Sequence, residues 1–181
     1  MKIMPPALRK AALVVHIISC VGWLGAIAAF LVLAIAGLTT TDAQLARAAY
    51  AGMNLIGWMV IFPLSLASLL SGIVQGLGTI WGLFRHYWVL IKLVITALAT
   101  ALLLVHLQPV TAMADMALAA DMGPSEMNGM RIQLVADASA AILALLVTTV
   151  LSVYKPRGLT RYGQRMSDKQ TLTRSSKTAG I

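Results

Sequence analysis

The stretch AALVVHIISCVGWLGAIAAFLVLAIAGL, residues 11–38, contains no Asp, Glu, Lys or Arg. A helix needs about 20 predominantly apolar residues to cross the hydrocarbon of a bilayer, and this run exceeds that length. Three more uncharged runs follow at 48–84, 93–114 and 138–154. None alternates with period two, and hydrocarbon admits only segments whose backbone polar groups are satisfied internally. The reading is an all-α protein, a transmembrane four-helix up-down bundle, with spans near 11–36, 54–78, 87–108 and 131–153.

Composition agrees. Of 181 residues, 59% are hydrophobic and 11% charged, against roughly 25% charged in ordinary soluble domains. Residues 1–154 form one transmembrane domain. Residues 155–181 are basic and rich in Ser and Thr, and read as a disordered tail held by anionic lipid. MKIMPPALRK is a plausible basic leader, but the apolar run behind it is about twice the usual signal-peptide core, so it reads as a retained first span.

Boundaries carry local signals. Thr41 and Asp42 suit a helix N-cap, so DAQLARAAYAGM is expected to begin a helix that runs into the second span. Pro63 removes a backbone donor inside that span and should kink it. Gly123-Pro124 breaks the third connection, and Ser125 and Glu126 can open the last helix.

Orientation follows from basic residues. One side collects Lys2, Arg9, Lys10, Arg85, Lys155, Arg157, Arg161, Arg165, Lys169, Arg174 and Lys177, the other only Arg47 and Arg131. Positive charge stays on the cytoplasmic side, which puts both termini inside and reads the net charge of +8 as topology rather than nucleic-acid binding. Trp81, Tyr87, Trp88 and Tyr154 then mark the inner boundary, and Tyr50 and Trp58 the outer one. Trp23 falls mid-span and should point into the bundle, where its indole N–H needs a partner.

Ionisable residues inside spans are costly and invite a functional reading. His16 and Lys92 fall roughly 8–10 Å to the inner side of the midplane, with Gln75 beneath them; His106 and Asp137 fall roughly 9–13 Å to the outer side. His16 and Cys20, four residues apart, share a helix face, and an imidazole with a thiolate can hold a soft metal. A lone cysteine also serves as a small apolar residue, and Lys92 can snorkel. His106 and Asp137 would meet if the helices run up and down, either as a proton-accepting pair or as a lock between helices. Haem needs two axial histidines at one depth. His16 and His106 are at opposite depths, which leaves His16 with the interfacial His86.

The connection MADMALAADMGPSEMNGM, residues 113–130, holds Met113, Met116, Met122, Met127 and Met130 with Asp115, Asp121 and Glu126. Thioethers are soft ligands that favour Cu(I). The same residues equally suit an interfacial helix with methionines on lipid and acids in water.

His16 ahead of Trp23-Leu24-Gly25 in HIISCVGWLGAIAAF, then LSGIVQGLGTIWGLFRHYWVLIKLVITAL with its Gly-aromatic turn, Trp88 and Lys92, resembles the copper-resistance D (CopD) type of membrane domain over most of residues 10–108. The resemblance implies a copper-linked or redox-linked role in a bacterial cytoplasmic (inner) membrane and makes His16 a candidate ligand. No Gly-rich phosphate loop, His-Glu-x-x-His, paired-cysteine zinc pattern or nucleophile elbow appears in the sequence. The functions in view are copper binding or uptake, a b-haem or quinone-linked electron carrier, and an accessory subunit without catalysis. Four helices enclose little volume, so conduction would imply a homo-oligomer or a partner subunit.

The topology predicts that a membrane-impermeant thiol reagent applied outside cells labels a cysteine placed in the 119–123 connection. It should leave one placed after residue 158 untouched; the reverse pattern would invert the orientation.

Overall fold

A computed structural model describes residues 4–78, 83–119, 124–154, 158–161 and 163–166, with the backbone alone at Leu118 and 124–127. Five helices account for nearly all of these. They are α1 (Pro6–Thr39), α2 (Ala43–Ile56), α3 (Phe62–Gly78), α4 (Tyr87–Leu118) and α5 (Pro124–Tyr154), with a π-helical turn at Gly57–Ile61 joining α2 to α3. Four spans result, because Ala43–Gly78 is one continuous rod. Each span packs on the next in sequence, and α1 closes the ring against α5. The end that carries the N-terminus and residues 83–86 is called proximal, and the end with residues 40–42 distal.

The helices begin and end where the chain chemistry says they should. Asp42 caps α2, its carboxylate accepting the Gln44 N–H at 2.8 Å. Pro5 and Pro6 open α1, and Pro124 opens α5, positions where the missing N–H would have had no helical partner. Pro63 acts differently from a simple kink. Its ring crowds the carbonyl four residues back, and the preceding turn widens so that Phe62 N–H donates to Gly57 O, five residues back. That turn lies against α4, where a Cβ on Gly57 would come within 2.7 Å of Leu107 Cδ2. A side chain there would have to displace the end of the buried Leu107.

The apolar core is concentrated toward the distal end. Trp23, Phe30, Ala34, Tyr50, Met53, Val110, Met113, Ala117, Leu134 and Ala138 are buried together. α1 has 34 residues and would measure about 51 Å, well beyond a hydrocarbon core of about 30 Å. The spans therefore extend past the lipid, further than the ends read from hydropathy. Small residues seal this core: Ala26, Ala34, Ala46, Ala49, Ala114, Ala117 and Ala138 are buried. Of the small residues at helical spacing in the first and last spans, Gly25, Ala29, Ala136 and Ala140 are exposed on the outside of the bundle, while Gly22, against Leu64, and Ala144 are half-buried.

Two aromatic expectations change. Tyr50 is 1% exposed rather than interfacial, and its hydroxyl donates to Gly37 O at 2.9 Å. That carbonyl sits in the last turn of α1, where helical partners run out, so the tyrosine closes the helix end from inside the bundle. Arg131 lies over the Tyr50 ring at 5.8 Å. Trp23 is buried as expected, but its indole N–H has no hydrogen-bond partner. Trp81 falls outside the described residues.

The basic segment after Tyr154, expected to be disordered, is folded back where it is described. Leu159 pairs with His86 as an isolated antiparallel bridge. Thr160 N–H donates to Arg85 O at 3.0 Å, and its hydroxyl donates to Phe84 O at 2.5 Å.

Tyr50→Phe leaves the Gly37 carbonyl buried and unpaired, which costs about 1–3 kcal/mol. Thermal unfolding in detergent should show the loss, and an unchanged midpoint would mean that water reaches this end of α1.

Candidate functional site

Near the proximal end, α1 and α3 face each other through polar side chains. The sequence of α3 places Ser65, Ser68, Ser71 and Gln75 three or four residues apart, hence on one side of the helix. That side meets His16 and Cys20 of α1. His16 Nδ1 lies 3.0 Å from Ser71 Oγ, Cys20 Sγ lies 3.1 Å from Ser68 Oγ, and Cys20 Sγ lies 3.6 Å from His16 Nε2. Gln75 donates to Ala12 O at 3.1 Å and closes the stripe at the proximal side. Gly72 lets the imidazole lie flat on α3, since a Cβ there would meet His16 Cε1 at 3.3 Å.

The hydrogen bonds around His16 favour one arrangement of protons. With the Ser71 hydroxyl donating to Ala67 O at 2.6 Å, its oxygen is placed to accept from His16 Nδ1. In that tautomer Nε2 turns its lone pair toward the Cys20 sulfur. A histidine whose far N–H is held by an acceptor while its other nitrogen stays bare is the arrangement that metal-ligating histidines use.

The donor spacing is suitable for one ion. A nitrogen at about 2.0 Å and a sulfur at about 2.3 Å from a metal, separated by the 3.6 Å seen here, subtend roughly 110°. Two strong donors are too few for a four-coordinate zinc site, and among the described residues no group of three or more His, Cys, Asp or Glu side chains converges. A thiolate with one imidazole is a soft donor pair of the kind that favours Cu(I), at an angle that leaves a further coordination position open.

Lys92, placed by its depth in the same layer, reaches one turn back along α4. Its ammonium lies 5.9 Å from the Trp88 ring centroid, toward the proximal end, as snorkelling requires.

The distal layer joins α4 to α5. His106 Nε2 lies 3.1 Å from Asp137 Oδ2, as the up-down reading anticipated. His106 Nδ1 donates to Leu102 O at 2.7 Å, so Nε2 is the nitrogen that faces the carboxylate. The separation is that of an ion pair, yet Oδ2 receives no properly aimed hydrogen bond. The contact becomes a Coulombic attraction only when the imidazole is doubly protonated. Beside it, α2 meets α4 through a small network that hydropathy alone does not mark: Trp58 Nε1 donates to Thr111 Oγ1 at 3.1 Å, and Thr111 donates to Asn54 Oδ1 at 2.9 Å.

The methionines separate. Met113 is 0% exposed and belongs to the packed core, while Met116 is exposed on the same helix and Met130 packs at the core's edge. Met127 lies in α5 with only its backbone described, and Met122 lies outside the described residues. What the sequence presents as one sulfur-rich loop is largely the ends of two helices. His16 and His106, engaged at opposite ends of the bundle, give a haem no pair of axial ligands at one depth.

Comparison with protein-family models, with curated proteins and with solved structures finds no match.

Asp137→Asn removes the charge of the distal pair while keeping its shape. A partly exposed pair of this kind contributes about 0.5–1 kcal/mol, so a small drop in thermal stability is expected. A rise in stability would mean that desolvation outweighs the attraction.

Proposed function

We propose that this multi-pass membrane protein binds Cu(I) inside its bundle, with His16 and Cys20 as the ligands. The observation that carries the reading is His16 Nε2 lying 3.6 Å from the Cys20 sulfur, with Ser71 Oγ against the opposite ring nitrogen. Ser68, 3.1 Å from the sulfur, is placed to accept the thiol proton's hydrogen bond or to donate to a thiolate. The resemblance to copper-resistance D type domains, which rests partly on His16, points to the same chemistry. By the distribution of basic residues, the site lies in the cytoplasmic half of a bacterial inner membrane, with both termini inside.

The five methionines of residues 113–130 play a lesser part in this reading than their sequence suggests. Met113 is committed to packing, so a thioether relay would have to run through the others. The alternative is an accessory subunit in which the same side chains only fasten α1 to α3. It is favoured by the fact that His16, Cys20, Ser68 and Ser71 all find polar partners within the protein.

Titration of the purified protein with Cu(I) against a chromophoric chelator separates the two. One equivalent should bind, and Cys20→Ser or His16→Ala should abolish it. Ser71→Ala, which frees the imidazole, should weaken binding about 10–100-fold, and replacing the five methionines by leucine should leave affinity unchanged. Copper affinity that survives in Cys20→Ser, or no binding by the parent protein, would leave the accessory reading standing.

A further inference from the structure

The His16–Cys20 pair sits among side chains that bring no negative charge of their own. Residues 1–41 and 43–114 contain no Asp or Glu, so α1, α3 and α4 as far as Ala114 offer it no carboxylate. The side chains of α3 that touch the pair are the neutral hydroxyls of Ser68 and Ser71. Asp137 belongs to the distal layer, against His106, roughly 14 Å or more from Cys20 along the bundle axis. Lys92 shares the proximal layer, and its positive charge is felt at His16.

That setting makes the charge of a bound ion decisive. A ligating thiol gives up its proton. When His16 and Cys20 take a monovalent ion, the proton leaves to water and one positive charge takes its place. The loaded site then carries the same charge as the empty one. A divalent ion on the same ligands leaves one positive charge uncompensated, roughly 5 Å from the bilayer midplane by the rise of α1, where a charged group is costly. Cys20 is the chain's one cysteine, and among the described residues no third His, Cys, Asp or Glu converges with the pair to cancel that charge.

We propose that the site selects ions by charge as well as by softness, so that its substrates are soft monovalent cations, Ag(I) as well as Cu(I), and divalent ions are excluded. The inference rests on the copper reading of His16 and Cys20 and adds the substrate class to it. Softness alone does not make this separation, since divalent ions also take thiolate. Ser68 is the position at which the rule can be reversed. It is 3% exposed, and its Oγ lies 3.1 Å from the sulfur. A carboxylate there adds the missing negative charge, and an amide adds the same oxygen donor without it.

Equilibrium dialysis of the full-length protein in neutral detergent and chloride-free buffer, against Cu(I), Ag(I) or Cd(II), tests this. Ag(I) and Cd(II) have the same filled d shell and differ by one charge. The parent protein should hold one Cu(I) or one Ag(I) and bind Cd(II) weakly. Ser68→Asp should bind Cd(II) about 100-fold more tightly than Ser68→Asn does. Retained Ag(I) binding in both variants shows that they fold. Lys92→Gln leaves the ligands untouched; it should tighten Cd(II) and leave Ag(I) unchanged, because only the divalent ion alters the charge of the site. Equal gains in Ser68→Asp and Ser68→Asn would make the number of ligands the selector, and Cd(II) held by the parent as tightly as by Ser68→Asp would remove selection altogether. Either result overturns the inference while copper binding stands. A parent protein that holds neither Cu(I) nor Ag(I) would remove the copper reading itself, and this inference with it.

Discussion

Inside hydrocarbon a polar group has no water to turn to, and each feature of this bundle answers that constraint. The backbone meets it by forming helices. Where a helix must lose a bond, the loss is made good locally: the turn before Pro63 widens to a five-residue repeat, and the end of α1 finds the Tyr50 hydroxyl. Serine and threonine side chains follow the same rule by bonding back to their own helices, as Ser19, Ser65, Thr100 and Ser139 do. Trp23 Nε1 and Asp137 Oδ2 are among the exceptions, buried atoms with no hydrogen-bond partner among the described residues.

The same constraint divides the bundle along its length. Lipid tails are as apolar as leucine, so burying apolar surface gives little drive to helix association within the membrane. Association there depends on close approach and on polar contacts between helices, and the α1–α3 face has both, with Gly72 under the His16 ring and hydroxyls across from it. The apolar core gathers distally, where helices longer than the hydrocarbon is thick run into the interface. There, burial of Met113, Ala117 and Leu134 removes surface from water and contributes in the ordinary way.

The methionines of residues 113–130 show how helical geometry sorts neighbouring side chains by face where they are described. α4 continues through Leu118, carrying Met113 to the inside and Met116 to the outside. The pair with the better geometry for a metal, His16 and Cys20, is also visible in the sequence as an i, i+4 spacing. What the spacing could not supply is Ser71, fifty-five residues away, whose hydroxyl lies 3.0 Å from His16 Nδ1.

The amino-acid sequence alone determined the number of spans, their up-down order, the cap at Asp42 and the break before Pro124. Each of these depends on short-range chemistry: segment apolarity against bilayer thickness, or a side chain bonding its own backbone. The meeting of His106 with Asp137 was likewise legible, since short connections fix which helices are neighbours and rise per residue fixes their depth. Tertiary structure alone decided the rotation of each helix about its axis. That rotation turned Tyr50 inward, put Gly25, Ala29, Ala136 and Ala140 outside and set Ser68 and Ser71 against Cys20 and His16. It also decided that Thr160, in the short described part of the chain after the last span, meets the backbone of Phe84 and Arg85. Helix rotation is set by the fit of side chains distant in sequence, such as Gly57 against Leu107, and no single segment carries that information.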